Sequence, residues 1–246
     1  MSESNYRQLD PARVVATIAT LRDRIRERFP HANLGAVAEE LLEVARDHAR
    51  RSHRIRSAIL SLRILGGLLL ISAVLAITSS IAQVHPRLGD DWQWSEVIQT
   101  IEAGLGSLFF LSAGAVFAMS LETRVKRRRC LVAIHEMRAM AHIVDMHQLT
   151  KDPERLGGTG PDTPSSPRRS LTHFELVRYL DYCSEMLSLI GKVAALYVQG
   201  FPDSHAVGAV DEIENLTTGL SRKIWQKIMI LDERTTKEGL VEPTPS

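Results

Sequence analysis

The chain has 246 residues, of which 44% are hydrophobic, 24% charged and 5% aromatic, and its formal charge is +1. Two cysteines exclude a disulfide scaffold, and the hydrophobic content excludes a wholly disordered chain. The neutral balance gives no reason to expect nucleic-acid binding.

Residues 1–62 predict two helices. Asp10 followed by Pro11 places an N-cap before a proline at the first helical position, starting a helix that runs to about Arg28 and stops near Pro30. Asn33 caps the next, whose apolar positions include Leu34, Val37, Leu41, Leu42 and Val44. Glu39, Glu40 and Glu43 come early in it and the arginines late, as the helix dipole prefers. No breaker follows until Gly66-Gly67, so this helix is expected to run on into the next segment.

Residues 63–121 carry the most distinctive pattern. Ile64–Ala82 and Ala103–Leu121 are each 19 residues without a charge. As helices they would be about 28 Å long, close to the ~30 Å hydrocarbon core of a bilayer. Both are apolar all round, which a core helix of a soluble domain seldom is. Spans at 64–82 and 103–121 with an outer loop over 83–102 make a two-span transmembrane hairpin. Neither window lies where a signal peptide would, and Glu3 and Asp10 argue against a transit peptide.

Positive charge near the spans sets the orientation. Arg46, Arg50, Arg51, Arg54, Arg56 and Arg63 precede the first, and Arg124, Lys126, Arg127, Arg128 and Arg129 follow the second. The loop has one arginine, Arg87, against Asp90, Asp91 and Glu96, and carries Trp92 and Trp94, which suit the outer interface. The expected topology is a multi-pass protein of a bacterial inner membrane with both termini cytoplasmic. Arginine outnumbering lysine is the compositional pointer to a bacterium. Cys130 and Cys183 then face a reducing compartment, so no disulfide is expected.

Residues 122–151 continue the second span as a stalk of about 29 residues, roughly 43 Å. Cys130, Ile134, Met137, Ala141 and Val144 form a stripe along it that needs a partner helix. Residues 152–170, rich in Gly, Pro and Ser, read as a flexible linker. Residues 171–235 predict a helical hairpin. Thr172 and Glu175 fit a capping box. Leu176, Leu180, Cys183, Leu187, Ile190, Ala194 and Tyr197 keep a four-three spacing to about Gln199. After a link at 200–203, a second helix to about Asp232 carries Val210, Ile213, Leu216, Leu220, Ile224, Ile228 and Leu231. A single hairpin buries little surface, so it should dock on the stalk or on another subunit. Residues 236–246 read as a disordered tail. The fold class is therefore all-α: a membrane hairpin with a cytoplasmic, coiled-coil-like helical bundle.

Candidate chemistry is sparse. His135, His142 and Asp145 share one helix side and are the candidate metal ligands, but seven residues separate the imidazoles by about 10 Å along the helix, too far for one ion. The plainer readings are a polar layer, with Asp145 paired to His142 or an arginine, or a pH-sensitive joint. Phosphate-binding glycine loops and nucleophile elbows are absent from the sequence, and no cofactor is expected. Cys130 has basic neighbours that would lower its pKa, but its place on the stripe favours a buried thiol. Arg50, Arg51, Arg54, Arg56, Lys126, Arg127, Arg128 and Arg129 are candidate contacts to anionic lipid headgroups, at about 1 kcal/mol per basic residue. Small-residue stripes (Ser72, Ala76, Ser80; Gly114, Ala118) permit close helix contact within the hairpin or in an oligomer.

Three function classes fit. The first is a non-enzymatic membrane-anchored scaffold or signalling and assembly subunit, acting as a homo-oligomer or with a protein partner through its cytoplasmic helices. The second is a pore-forming or membrane-perturbing effector gated by those helices. The third is a metal-dependent enzyme built on His135, His142 and Asp145.

Overall fold

A computed structural model describes residues 7–56, 94–151, 163–165 and 171–239, together with positions 64, 66–68, 71–72, 74–75 and 78. Among the described residues every regular element is helical. Five long helices are named here: α1 (Pro11–Arg28), α2 (Leu34–Arg56), α3 (Trp94–Leu149), α4 (His173–Val198) and α5 (Ser204–Gly239). The chain divides into two compact units, residues 57–128 and the remainder.

The larger unit is a helical bundle whose ends follow the sequence signals. Asp10 accepts a 2.8 Å hydrogen bond from the Ala12 amide at the start of α1, and the Phe29 amide closes its end on the Ile25 carbonyl at 2.8 Å. Both halves of the capping box form at α4: Thr172 accepts from the Glu175 amide, and Glu175 accepts from the Thr172 amide at 2.8 Å. Asp203 accepts from the amides of His205 and Ala206 and so caps α5. Helix α5 continues through Gly239, past the end expected at about Asp232 and into the stretch expected to be a disordered tail. Residues 233–238 contain no breaker, and a glycine is a natural helix stop.

Helix α4 is the axis of the bundle. The seven residues of its expected seam are all buried, and so are Tyr179, Tyr182, Met186, Leu189, Val193 and Leu196 on its other sides. A single seam was therefore too modest a reading: α4 is covered by α1 and α2 as well as by α5. The stalk stripe (Cys130, Ile134, Met137, Ala141, Val144) enters the same core, which meets the need for a partner within one chain. Each large apolar side chain buried in this way contributes about 1.5–3 kcal/mol. Gly191 sits where α4 and α5 approach: a Cβ there would lie 3.4 Å from Thr217 Oγ1.

The smaller unit has a different surface. Ile64, Leu68, Ile71 and Leu75 are exposed, and so are Leu105, Leu108, Phe109, Phe110, Val116 and Phe117 on the first part of α3. Among the described residues, no helix is long and apolar enough to cross a membrane. Both sequence windows are only partly among those residues. Most of 57–93, including much of the first window and nearly all of the loop, lies outside them, as do the side chains at 103, 115, 118 and 119. The two-span hairpin thus rests on the sequence. The linker at 152–170, apart from 163–165, and the last residues, 240–246, also lie outside the described residues.

Candidate functional site

The most unusual polar feature of the bundle lies in its core. On α2 the buried residues recur as Leu34, Ala38, Leu41, Ala45, His48 and Ser52, so an imidazole and a hydroxyl occupy the last two places of an apolar seam. His48 is 0% exposed. Its Nε2 lies 2.8 Å from Oε2 of Glu136, which α3 presents beside its own buried Met137. Arg51, one turn along α2, grips the same carboxylate with one guanidinium nitrogen at 3.0 and 3.1 Å. The other nitrogen reaches Asp47 at 3.2 Å, and Asp47 also pairs with Arg50 at 2.8 Å. Helix α4 adds Tyr197, whose ring stands edge-on to His48 with centroids 5.5 Å apart. Three helices meet at this junction.

Its electrostatics favour one protonation state. Burial pushes His48 below the ordinary imidazole value, and the opposing pull of the Glu136 carboxylate is the weaker influence. Burial tends to raise Glu136, but hydrogen bonds from His48 and Arg51 outweigh it and hold the carboxyl below its usual range. Burial also pushes the Tyr197 phenol up. A neutral His48 with its proton on Nε2 donates to Glu136 and leaves Nδ1 as an acceptor. Nδ1 and the Tyr197 hydroxyl are both buried without a hydrogen-bond partner among the described residues. Protonation would place a second N–H in this pocket, where an unsatisfied donor costs about 1–3 kcal/mol.

The residues singled out from sequence fare unevenly. His135 and His142 are exposed, and Asp145 accepts a 2.6 Å hydrogen bond from Gln148 Nε2 instead of pairing with His142 or an arginine. Among the described residues no three His, Cys, Asp or Glu side chains are grouped to hold a metal ion. The core holds a different buried polar contact, at His48 on α2. Periodicity offered a signal for it, since steps of three and four along Leu34, Ala38, Leu41 and Ala45 land on His48. Cys130 and Cys183 are both buried free thiols. Burial raises them to about 11 and about 12, so the basic neighbours of Cys130 do not activate it.

Of the candidate lipid contacts, Arg50 and Arg51 are engaged by Asp47 and Glu136 within the bundle. Lys126 pairs with Glu122 at 2.9 Å, and both side chains are largely covered. Arg128 and Arg129 are exposed, and Arg127 is half-buried. The side chains of Arg54 and Arg56 lie outside the described residues.

No known protein family, curated protein or solved structure matches the chain.

Proposed function

We propose that the chain is an integral membrane protein whose residues 64–82 and 103–121 cross the bilayer, with a helical bundle that serves assembly with protein partners. One observation carries the membrane part. On the first part of α3, large apolar side chains are exposed over a wide arc, from Leu105 (63%) and Leu108 (60%) to Phe110 (75%) and Phe117 (60%). The remaining faces hold exposed Gly104, Ser107 and Gly114. A helix in water hides its apolar residues along one stripe, whereas a helix in lipid has no such stripe. Among the described residues, a methyl group added at Gly104, Gly106 or Gly114 would meet nothing within 4 Å, which suits close approach of a second helix or of lipid.

Positive charge supports placing the bundle in the cytoplasm of a bacterial cell, with anionic headgroups beside the exposed Arg128 and Arg129. The assembly reading draws on exposed apolar side chains in the bundle itself, among them Ile143, Met146, Trp225 and Met229. A pore has less support. The hydroxyls of Thr78, Ser112 and Ser120 donate to carbonyls of their own helices, so they give little polar lining. The metal-enzyme reading has no cluster behind it among the described residues.

The test is crosslinking in native membranes after alkaline carbonate washing, read by mass spectrometry. The expected result is that the chain stays in the pellet and crosslinks through 204–239 to a second copy or a partner. Release into the wash would overturn the membrane assignment, and recovery of monomer alone would overturn the assembly role. Dye leakage from vesicles holding the purified chain would replace that role with the pore.

A further inference from the structure

At one end of the bundle, the α1–α2 connection, the last turn of α3 and the residues entering α4 enclose a cleft of about 640 Å³. That volume is typical of small-molecule sites. Phe29, Met146 and Leu171 give it apolar walls, and Tyr179 is buried beside it. Its polar lining is one-sided: Arg28, His31, His147 and Lys151 line it, and no carboxylate does among the described residues.

The surrounding structure preserves that positive charge. Three nearby carboxylates are paired with other arginines, while Glu27 lies beside Arg28. Glu39 binds Arg22 at 3.0 Å and Arg26 at 2.9 Å, Glu185 binds Arg24 at 3.0 Å, and Asp181 binds Arg178 at 2.6 Å. Glu175 feels the charge of Arg28, while its Oε2 accepts both the amide and the hydroxyl of Thr172 at the cap. Arg28 and Lys151 rest on aromatic faces, and Arg28 also hydrogen-bonds the Tyr182 hydroxyl. The Arg28 guanidinium lies 5.3 Å from the Phe174 ring centre, and the Lys151 ammonium 5.0 Å from that of Tyr179. A cation–π contact positions a cation without cancelling its charge.

The end of α3 would ordinarily present a negative dipole here. Lys227 offsets it: its ammonium donates to the Gln148 carbonyl at 2.9 Å, the Gln148 side-chain oxygen at 2.8 Å and the Lys151 carbonyl at 3.3 Å. The start of α2, whose dipole favours anions, borders the cleft at Asn33.

We propose that this cleft binds a small organic phosphate, with the phosphate between Arg28 and Lys151 and the organic part against Phe29, Met146 and Leu171. Two full cations suit the charge of a phosphate, and the apolar wall gives the rest of the molecule a place to leave water. The same chemistry is offered by a free metabolite or by a lipid headgroup.

The experiment is calorimetric titration of the purified full chain, in a neutral detergent, with phenyl phosphate. Saturable binding is expected, weakened about tenfold or more by Lys151→Gln or Arg28→Gln and unchanged by Lys192→Gln, since a charge-assisted hydrogen bond is worth about 1.5–3 kcal/mol. Circular dichroism checks that each variant folds, and His147→Gln reports on the same cleft should Lys151→Gln not fold. No saturable binding, or equal binding by the unaltered chain and a folded Lys151→Gln variant, overturns the site. Given that binding, competition by dihexanoyl phosphatidylglycerol assigns the phosphate to a headgroup, and its failure to compete assigns it to a soluble compound.

Discussion

Leu187 and Leu108 both lie inside long helices, yet Leu187 is 0% exposed and Leu108 is 60% exposed. Leu187 belongs to α4, which α1, α2 and α5 cover around most of its circumference. Leu108 belongs to the part of α3 in the smaller unit, where neighbouring apolar residues are just as bare. The helices are built alike, but the chain supplies one environment, and we propose that lipid supplies the other. The lesson is that a leucine's effect on stability depends on which environment it leaves.

The largest effect that probes this contrast comes from Leu187→Ala. Emptying that core position costs the bundle about 2–5 kcal/mol in denaturant unfolding, whereas Leu108→Ala changes the same measurement by no more than about 0.5 kcal/mol. Equal losses would mean that both leucines sit in one protein core. A second substitution inverts the order. Leu108→Arg adds about 3 kcal/mol to the cost of membrane insertion and leaves the bundle intact. It should shift the chain from the carbonate pellet to the wash, and an unchanged pellet would break the lipid-facing reading.

A smaller effect separates the units by pH. His48 is depressed in the folded bundle, so the unfolded chain binds its proton first as pH falls. The stability this group contributes is fully present above its ordinary value near 6.5 and is lost as pH drops from there toward its depressed folded value. Urea midpoints of the bundle should therefore fall between pH 7 and pH 5, and His48→Phe should flatten the slope. A slope that survives His48→Phe would assign it to other groups. The smallest change is Thr172→Ala, which removes the α4 cap and costs about 1 kcal/mol. It should lower the bundle's thermal midpoint without altering membrane association.

Much of this fold was legible in the sequence because its signals are local. Asp10-Pro11 and Thr172 with Glu175 name helix starts through a few neighbouring atoms, and the four-three spacing from Leu176 to Tyr197 names a buried face. What local signals miss is how many neighbours a helix has. Tyr182, Met186 and Val193 lie off the expected seam and are buried because three helices close on α4. The polar junction was missed for the same reason. His48 and Glu136 are 88 residues apart in the chain, and nothing in either segment specifies the other. His135 and His142 drew attention because they are close in sequence, but their helix turns them outward. The cleft at Arg28 and Lys151 is likewise assembled from three separate segments and has no motif.

The central proposal is that residues 64–82 and 103–121 cross a membrane and leave the bundle in the cytoplasm. The most direct test is labelling of intact bacterial cells with a membrane-impermeant maleimide. Cys130 and Cys183 are buried with raised thiol pKa values, so the native background should be low. A Gly89→Cys variant, in the outer loop, is expected to label on intact cells, and a Ser204→Cys variant, at the start of α5, only after lysis. Protection of Gly89→Cys until lysis, or labelling of Ser204→Cys on intact cells, would contradict the account.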